Sequence, residues 1–473
     1  MKKVGIIGGG FSGTMTAVQL ILSSDNPLHV VLIDRKSALC KGIAYNPYSR
    51  VQLLNVVTAK MSAFPDLPNH FLEWIMMKPR FAAKDEMVIA NSFMPRYLYG
   101  EYIEEIWANT LEIAEQKNMS VTTVDAYVNG LVINGNEIAL QLDNNEKLLV
   151  DYCVFATGNM LPGNVKIKNS AFFQSKNYYQ NPWQKECVTN LKSDLPVLIV
   201  GNGLTMVDTV LGLLENHFEN VIFSLSPNGF NILPHRHNGL KYGKLVEELP
   251  ADKSLYSIFA LIHKHIKSVR EFGVSAEPVI DSIRPYTQSI WRGFSEAEKK
   301  KFLSKLRHVW GVARHRIPLH IHDKLQQLRI DGKLKVIAGR VLDITEGHEG
   351  IDVEYIDKQE NKHKSIKVSR IINCTGPESD YMYAGSELLK NALLQGIIAQ
   401  DKLKLGLNTD VNTLELKNID GKNHCHLFTI GSNVKGELWE STAVNELRSQ
   451  AVVLAKEINK RIGVKSFQPP YVN

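Results

Sequence analysis

The sequence is poor in cysteine. Its five cysteines, Cys40, Cys153, Cys187, Cys374 and Cys425, are widely spaced and include no C-x-x-C pair. That spacing argues against a structural zinc site and against a disulfide reductase built on adjacent redox cysteines, and it fits reduced thiols in a cytoplasmic protein. No stretch supplies the ~18 apolar residues of a membrane span. The apolar start at Val4–Ile7 is interrupted by Gly8, Gly9, Gly10 and Gly13 without a cleavage pattern, so it does not read as a secretory signal. Charge of neither sign dominates: 55 Lys and Arg against 49 Asp and Glu leave +6, with no basic run, so nucleic acid is not an expected partner. His320 and His322 alternate, but no adequate ligand set accompanies them, and no metal is expected. What remains is ordinary for a globular protein: 473 residues, 44% hydrophobic and 22% charged. At ~150 residues per domain, that is enough for two or three domains with cores that need no staples.

The first forty residues hold a complete βαβ pattern. A short apolar strand (3–7) runs into Gly8-Gly9-Gly10-Phe11-Ser12-Gly13, then a helix of small and apolar residues, then a second strand ending at Asp34. Gly8 permits the tight turn, Gly10 lets the backbone approach a pyrophosphate, and Gly13 lets the helix pack closely on the strand. The helix N-terminus offers free N–H groups to phosphate. Asp34 falls about 20 residues beyond the turn, where an acid binds the ribose hydroxyls of an adenosine.

Residues 196–210 repeat the design, with a buried strand leading to Gly201-Asn202-Gly203-Leu204-Thr205-Met206. Met206 fills the third glycine position, while Asn202 and Thr205 remain candidate phosphate donors. Two such turns in one chain read most economically as one site for FAD and one for a diffusing nicotinamide cofactor. The strand after the second turn ends in Ser224-Leu225-Ser226-Pro227 with no acid, which leaves room for a 2′-phosphate. NADPH is therefore favoured, with NADH left open, and Ser226 and Arg236 are candidate phosphate contacts.

Two apolar strands end alike, in Ala156-Thr157-Gly158 and in Cys374-Thr375-Gly376. Read as strands returning to the first sheet, they bracket an insertion. The expectation is an α/β protein with two dinucleotide-binding, Rossmann-like domains, the second inserted in the first. The FAD domain would occupy about 1–165 plus 365–473 and the NAD(P)H domain about 190–360. Small β-meanders are expected at 133–149 and near 340–355. A helical insertion is expected at about 250–330, with helices at 257–265, 296–310 and 321–328, either as a cap on an active site or as a purely structural addition.

A set of phrases then combines in order: Lys41-Gly42-Ile43-Ala44-Tyr45, Leu53-Leu54-Asn55-Val56, Met61-Ser62-Ala63-Phe64-Pro65, Pro95-Arg96-Tyr97-Leu98-Tyr99-Gly100, Gly203-Leu204-Thr205-Met206-Val207-Asp208, Asn373-Cys374-Thr375-Gly376-Pro377 and Trp439-Glu440-Ser441-Thr442-Ala443-Val444. Over essentially its whole length the chain resembles a large bacterial FAD/NAD(P)-binding protein family related to FAD-dependent urate hydroxylase and flavin-dependent aspartate N-monooxygenase. The resemblance implies FAD contacts at Gly8, Gly10, Ser12, Gly13, Asp34, around Asn55 and Ser62, and at Thr157 and Gly158. It also implies that the segment from Gly431 through Glu440 and Thr442 closes the flavin site before a last helix. One departure stands out. Where the family has Trp-Asp-Val-His-Arg-His-Arg, this chain has Trp310-Gly311-Val312-Ala313-Arg314-His315-Arg316.

The expected activity is that of an FAD-dependent, NAD(P)H-using monooxygenase. It would hydroxylate a small anionic or amine-bearing substrate with O₂ through a C4a-(hydro)peroxyflavin. A non-oxygenating flavin dehydrogenase or reductase, or a flavin-binding redox sensor, is the alternative. Candidate substrate or catalytic groups are the basic triplets His235-Arg236-His237 and Arg314-His315-Arg316, with arginine suited to a carboxylate; a solvated basic turn is the simpler reading of each alone.

Overall fold

The computed structural model describes residues 1–191, 194–236 and 240–463. His237 lies outside them. The chain divides into two compact units, one of residues 1–160 with 378–473 and one of residues 161–377.

The first unit is built on β1 (Lys2–Ile7), β2 (Leu28–Ile33) and β3 (Ser120–Val124), the meander β4 (Val128–Asn134), β5 (Glu137–Leu142) and β6 (Lys147–Val150), and the returning strand β7 (Tyr152–Phe155). Its six-stranded sheet takes two strands from the C-terminal segment, β15 (Glu415–Lys417) and β16 (Asn423–Thr429), in the order β15-β16-β7-β1-β2-β3. All neighbours are parallel except β15 with β16. A parallel sheet covered on both faces requires strands apolar on both sides, and β1 meets this by alternation. Val4 and Ile6 enter the core shared with α1 (Phe11–Ser23), α2 (His70–Met76), α4 (Arg96–Gln116) and α14 (Val444–Ile462). Ile7 points to the other face, where the meander and α13 (Glu387–Leu394) pack. A short α3 (Glu86–Ala90), capped by Asp85, precedes α4.

The second unit repeats the plan: β8 (Tyr178–Tyr179), β9 (Val197–Val200), α5 (Leu204–Glu215), β10 (Ile222–Ser226), β11 (Leu334–Gly347), β12 (Gly350–Asp357), β13 (Lys362–Val368) and β14 (Arg370–Asn373). They form one seven-stranded sheet in the order β13-β12-β11-β10-β9-β14-β8. The meander here is not a separate sheet. β11 runs parallel to β10 as far as Ala338 and antiparallel to β12 from Gly339 onward. The strand ending in Cys374-Thr375-Gly376 does not return to the first sheet, which corrects the expected boundary near 365. β14 pairs with β9 and β8 instead, and buried Arg370 pins it there by donating to the carbonyls of Glu186, Cys187 and Thr189. Each nucleotide fold completes its own sheet with its own returning strand.

Between β10 and β11 lie α6 (Lys244–Glu247), α7 (Leu255–Glu271), α8 (Glu277–Ile283), α9 (Thr287–Gly293), α10 (Glu296–Lys301), α11 (Arg307–Arg314) and α12 (Leu319–Ile330). Ser254 caps α7, and a reciprocal Ser295–Glu298 capping box starts α10. The single helix expected over 296–310 is two helices joined through a wider π turn at Phe302–Leu306. There buried Phe302 packs edge-on against Trp291. α8 and α9 escaped the periodicity reading because they are short, with Pro278 inside α8 and Pro285 in the turn that separates the two.

Candidate nucleotide-binding sites

In the first sheet β1 is flanked by β2 on one side and β7 on the other, the switch point beyond whose carboxyl end doubly wound folds bind ligands. The glycine turn sits at that end. Gly8 has φ +104°, and a Cβ there would lie 2.2 Å from the Ala156 carbonyl at the end of β7. A Cβ on Gly13 would lie 1.8 Å from the Gly8 carbonyl, so glycine alone lets α1 sit this close. Gly10 faces another glycine: its Cβ would come within 3.3 Å of Gly42 Cα, which places the Lys41–Tyr45 phrase against the turn. Gly10 is the N-cap of α1, no side chain caps the helix, and its first turn carries no acid. The first N–H groups of α1, Phe11, Ser12 and Gly13, have no intrahelical acceptor and form an anion cradle. Phe11 offers only its backbone, since its ring is buried against Tyr45 and Tyr99.

Asp34 closes the cradle from β2. Its Oδ2 accepts from Gly9 N at 2.7 Å and its Oδ1 from Arg35 N at 2.8 Å. Burial pushes its carboxyl up from the usual range, and those two N–H bonds oppose the shift. Opposite, Thr157 and Gly158 are joined to the loop after β16. The Asn433 amide donates to Thr157 Oγ1 at 3.0 Å and to Thr429 Oγ1 at 3.0 Å, while its oxygen accepts from Tyr381 OH at 2.7 Å. Ser432 Oγ donates to the Gly158 carbonyl at 2.5 Å. Asn433 is fully buried and satisfied, and it was not singled out from the sequence; the signal was an amide inside an otherwise small, apolar strand-to-turn run. Gly431 (φ +83°) donates to Gln450 Oε1 at 2.9 Å and accepts from Ser441 Oγ at 2.8 Å. Glu440 takes a left-handed φ of +63°, and exposed Thr442 leads into α14, whose N-cap Ala443 makes no side-chain cap.

The Ser62 hydroxyl is fully buried and spent within its own loop, on the Phe64 and Leu67 carbonyls at 3.1 and 2.6 Å. Tyr102 OH accepts from Ala63 N at 3.2 Å, and Arg448 of α14 donates to the Ser62 carbonyl at 2.8 Å. Asn55 lies just past the bridge between Leu53 and Pro95. Near the start of α14, Asn445 Oδ1, Arg448 Nε and Gln450 Nε2 are buried without partners, as is Tyr99 OH on α4. A buried unsatisfied polar atom costs about 1–3 kcal/mol, so several around one helix start mark a place built for a polar group. Donors and acceptors of this kind suit the carbonyl and nitrogen edge of a flavin.

The second site copies the first. Gly201 has φ +114°, and a Cβ there would lie 2.2 Å from the Cys374 carbonyl, the counterpart of Ala156. Gly203 caps α5 without a side-chain bond, and a Cβ on it would meet nothing within 4 Å. That leaves an open approach to the N–H groups of Leu204 and Thr205. Gly376 (φ +92°) has equally open surroundings. Asn202, read as a phosphate donor, is instead tied to the Phe230 carbonyl and to Ser224. Met206, in the third position, is buried.

The segments leading into His235 and following Arg316 meet through a bridge between Pro234 and Ile317, with His235 N donating to the Ile317 carbonyl at 2.8 Å. The same backbone pairing continues with Ile317 N donating to the Leu233 carbonyl at 3.1 Å, and His235, the Arg236 N–H and Arg316 all meet Glu277 of α8. Arg316 does not face a substrate, contrary to the expectation. Its side chain is 3% exposed and forks onto Glu277 Oε1 at 2.7 Å and both oxygens of Asp281 at 3.1 Å. Its Nε donates to the Ala313 carbonyl at 3.0 Å. Two carboxylates four residues apart on α8 already satisfy the guanidinium, and that spacing was the signal in the sequence. His235 Nδ1 lies 3.7 Å from the same Glu277, and Arg236 is exposed beside it. Arg314 is half-buried at the end of α11 and His315 is exposed.

Residues 5–160 match the model of a family described as FAD-NAD(P)-binding. The chain is 25% identical over 229 residues to the uncharacterized protein YdhS of Escherichia coli (strain K12), a match spanning 46% of this chain and 40% of that relative. Among solved structures, the whole chain is similar in fold to the ornithine N-hydroxylase of Kutzneria sp. 744, titled with reduced FAD, NADP⁺ and L-ornithine (14% identity, 98% of this chain and 99% of that one, TM-score 0.65). It is also similar to the FAD-bound cadaverine monooxygenase of Erwinia amylovora (14%, 100% and 98%, TM-score 0.58). A bacillithiol disulfide reductase from Bacillus cereus shares the fold at a TM-score of 0.54 (13%, 97% and 99%). Among the described residues no helix is long and apolar enough to cross a membrane.

Proposed function

We propose that the protein is an FAD-dependent, NADPH-using monooxygenase that hydroxylates a small molecule. The observation that carries this reading is the repeated turn: two glycine cradles, each locked under the carbonyl of its own returning strand, give one chain two dinucleotide sites. The N–H groups of Phe11, Ser12 and Gly13 would take the FAD pyrophosphate, Asp34 would take a ribose hydroxyl, and the unpartnered polar atoms of Asn445, Arg448 and Gln450 would serve the polar edge of the flavin ring. Gly201, Gly203, Leu204 and Thr205 take the pyrophosphate of the nicotinamide cofactor. When bound, FAD supplies hydride acceptance and the activation of O₂. His235 and Arg236, beside Glu277, together with Arg314 and His315 are the candidates for substrate recognition.

The thiols favour this reading over disulfide reduction. Cys40, Cys153, Cys187 and Cys374 are buried, and Cys425 is exposed. Burial pushes the Cys40 and Cys187 thiols up to about 12, and those of Cys153 and Cys374 upward as well. A thiol so far from its thiolate is a poor nucleophile for exchange. The deciding experiment is a screen of NADPH oxidation by the FAD-loaded protein over amino acids, amines and purines, with product mass and hydrogen peroxide both measured. A product heavier by one oxygen atom, formed in step with NADPH consumed, is the expected result. Oxidation that yields only peroxide, or only a reduced external acceptor, with every compound would establish the reductase alternative.

A further inference from the structure

The second strand of a nucleotide fold ends beside the adenosine ribose, where a 2′-phosphate is accepted or refused. In the second unit that strand is β10, and no acid occurs from residue 220 to residue 236. We propose that Lys358 and Arg340 form the 2′-phosphate subsite there, an assignment that rests on the nicotinamide reading of the Gly201 turn.

The sheet register brings both residues to the strand end. Ser226, the last residue of β10, pairs with Ala338 of β11. Lys358 follows β12 directly, and its backbone N–H donates to the Ala338 carbonyl at 2.8 Å. Its ammonium reaches Asn228, two residues past Ser226, with Nζ 3.1 Å from Oδ1. The loop is folded onto the same strand: Gly229 takes φ +56°, a Cβ on it would come within 3.0 Å of the Ala338 Cβ, and its N–H donates to Ser226 Oγ at 3.1 Å. Arg340 stands two residues beyond Ala338, so the alternation of a strand puts it on that same face. Its side chain is exposed and has no hydrogen-bond or ion-pair partner among the described residues.

The charge at this corner is uncompensated. Lys358 meets a neutral amide oxygen rather than a carboxylate. The two acids closest to Lys358 in sequence, Asp357 and Glu360, are both held by Lys364, at 3.0 and 2.5 Å. Arg329 at the end of α12 likewise meets only the Asn231 side-chain oxygen. A 2′-phosphate brings close to two negative charges and three acceptor oxygens to such a corner, and a 2′-hydroxyl brings neither. Arg236, the candidate read from the sequence, sits instead at the Glu277 junction, where its N–H donates to Glu277 Oε2 at 3.3 Å.

The test titrates 2′,5′-ADP and 5′-AMP calorimetrically into FAD-loaded wild type, Lys358→Ala and Arg340→Ala, alongside anaerobic flavin reduction by NADPH and by NADH. Both positions are exposed, so both variants should fold, which circular dichroism checks. Each substitution is expected to weaken 2′,5′-ADP binding about tenfold, as loss of a charge-assisted contact does, and to leave 5′-AMP binding and the rate with NADH unchanged. Unaltered 2′,5′-ADP affinity in both variants, or equal losses for the two nucleotides, would overturn the subsite. Wild type that binds neither nucleotide and is reduced by neither cofactor would overturn the nicotinamide reading itself.

Discussion

Arg316→Met separates a structural arginine from a substrate-binding one. The substitution keeps the length of the side chain and removes its charge, leaving Glu277, 11% exposed, with the Arg236 N–H at 3.3 Å and His235 at 3.7 Å. Removing one partner of a buried ion pair costs about 3–5 kcal/mol. Asp281 is half exposed and regains water, which puts the expected cost at the lower end, about 3 kcal/mol. For a unit of this size each kcal/mol moves the midpoint by about 2–4 °C, so the second unit should melt roughly 6–12 °C lower. The exposed Arg236 side chain gives the contrast, with Arg236→Ala shifting stability by no more than ~0.5 kcal/mol. Differential scanning calorimetry measures both, and a cycle with Glu277→Gln should give a coupling of at least about 1 kcal/mol. Unchanged melting of Arg316→Met together with a raised KM for the substrate would refute the reasoning.

Three further outcomes are expected. Gly10→Val should drive a side chain into Gly42, whose Cα would lie 3.3 Å from the new Cβ; absorbance at the flavin bands should show FAD lost from a chain that still folds by circular dichroism, and full occupancy would contradict the assignment. Gly203→Val meets no protein atom within 4 Å of its Cβ, so FAD content should be unchanged while the KM for NADPH rises about tenfold or more, measured as anaerobic flavin reduction. In the native protein a colorimetric thiol reagent should modify Cys425 quickly and the four buried cysteines only after denaturation.

The glycine turns were legible in the sequence because their chemistry is local: a left-handed φ and a close approach each leave one admissible residue, so Gly8, Gly13 and Gly201 announce themselves. The pairing of distant segments was less so. Ala156-Thr157-Gly158 and Cys374-Thr375-Gly376 look alike, and nothing local says that the second serves β9 rather than β1. Arg316 shows the same limit. A basic run reads the same whether its arginine meets a ligand or a carboxylate, and the answer lay with Glu277 and Asp281, 39 and 35 residues upstream. Asn433 was hidden because a buried amide is recognised by the partners that satisfy it, here from β7, β16 and Tyr381. Lys358 follows a plain surface hairpin in sequence and gains its place only through the register of β10, β11 and β12.

The interruption of the first unit by residues 161–377 has a consequence during synthesis. At about 5–20 residues per second, roughly 10–40 s separate emergence of the first unit's two segments from the ribosome. The inserted unit is continuous and has every strand it needs within that interval. Its host does not: β16, Asn433 and α14 are still to come, and the face of α1 that α14 covers with Ala451, Leu454 and Ala455 stays bare. The nascent chain is thus most prone to aggregate while its more N-terminal half waits for its last helix. Substitutions that make the bare face of α1 more polar should raise soluble yield even where they lower the stability of the finished protein.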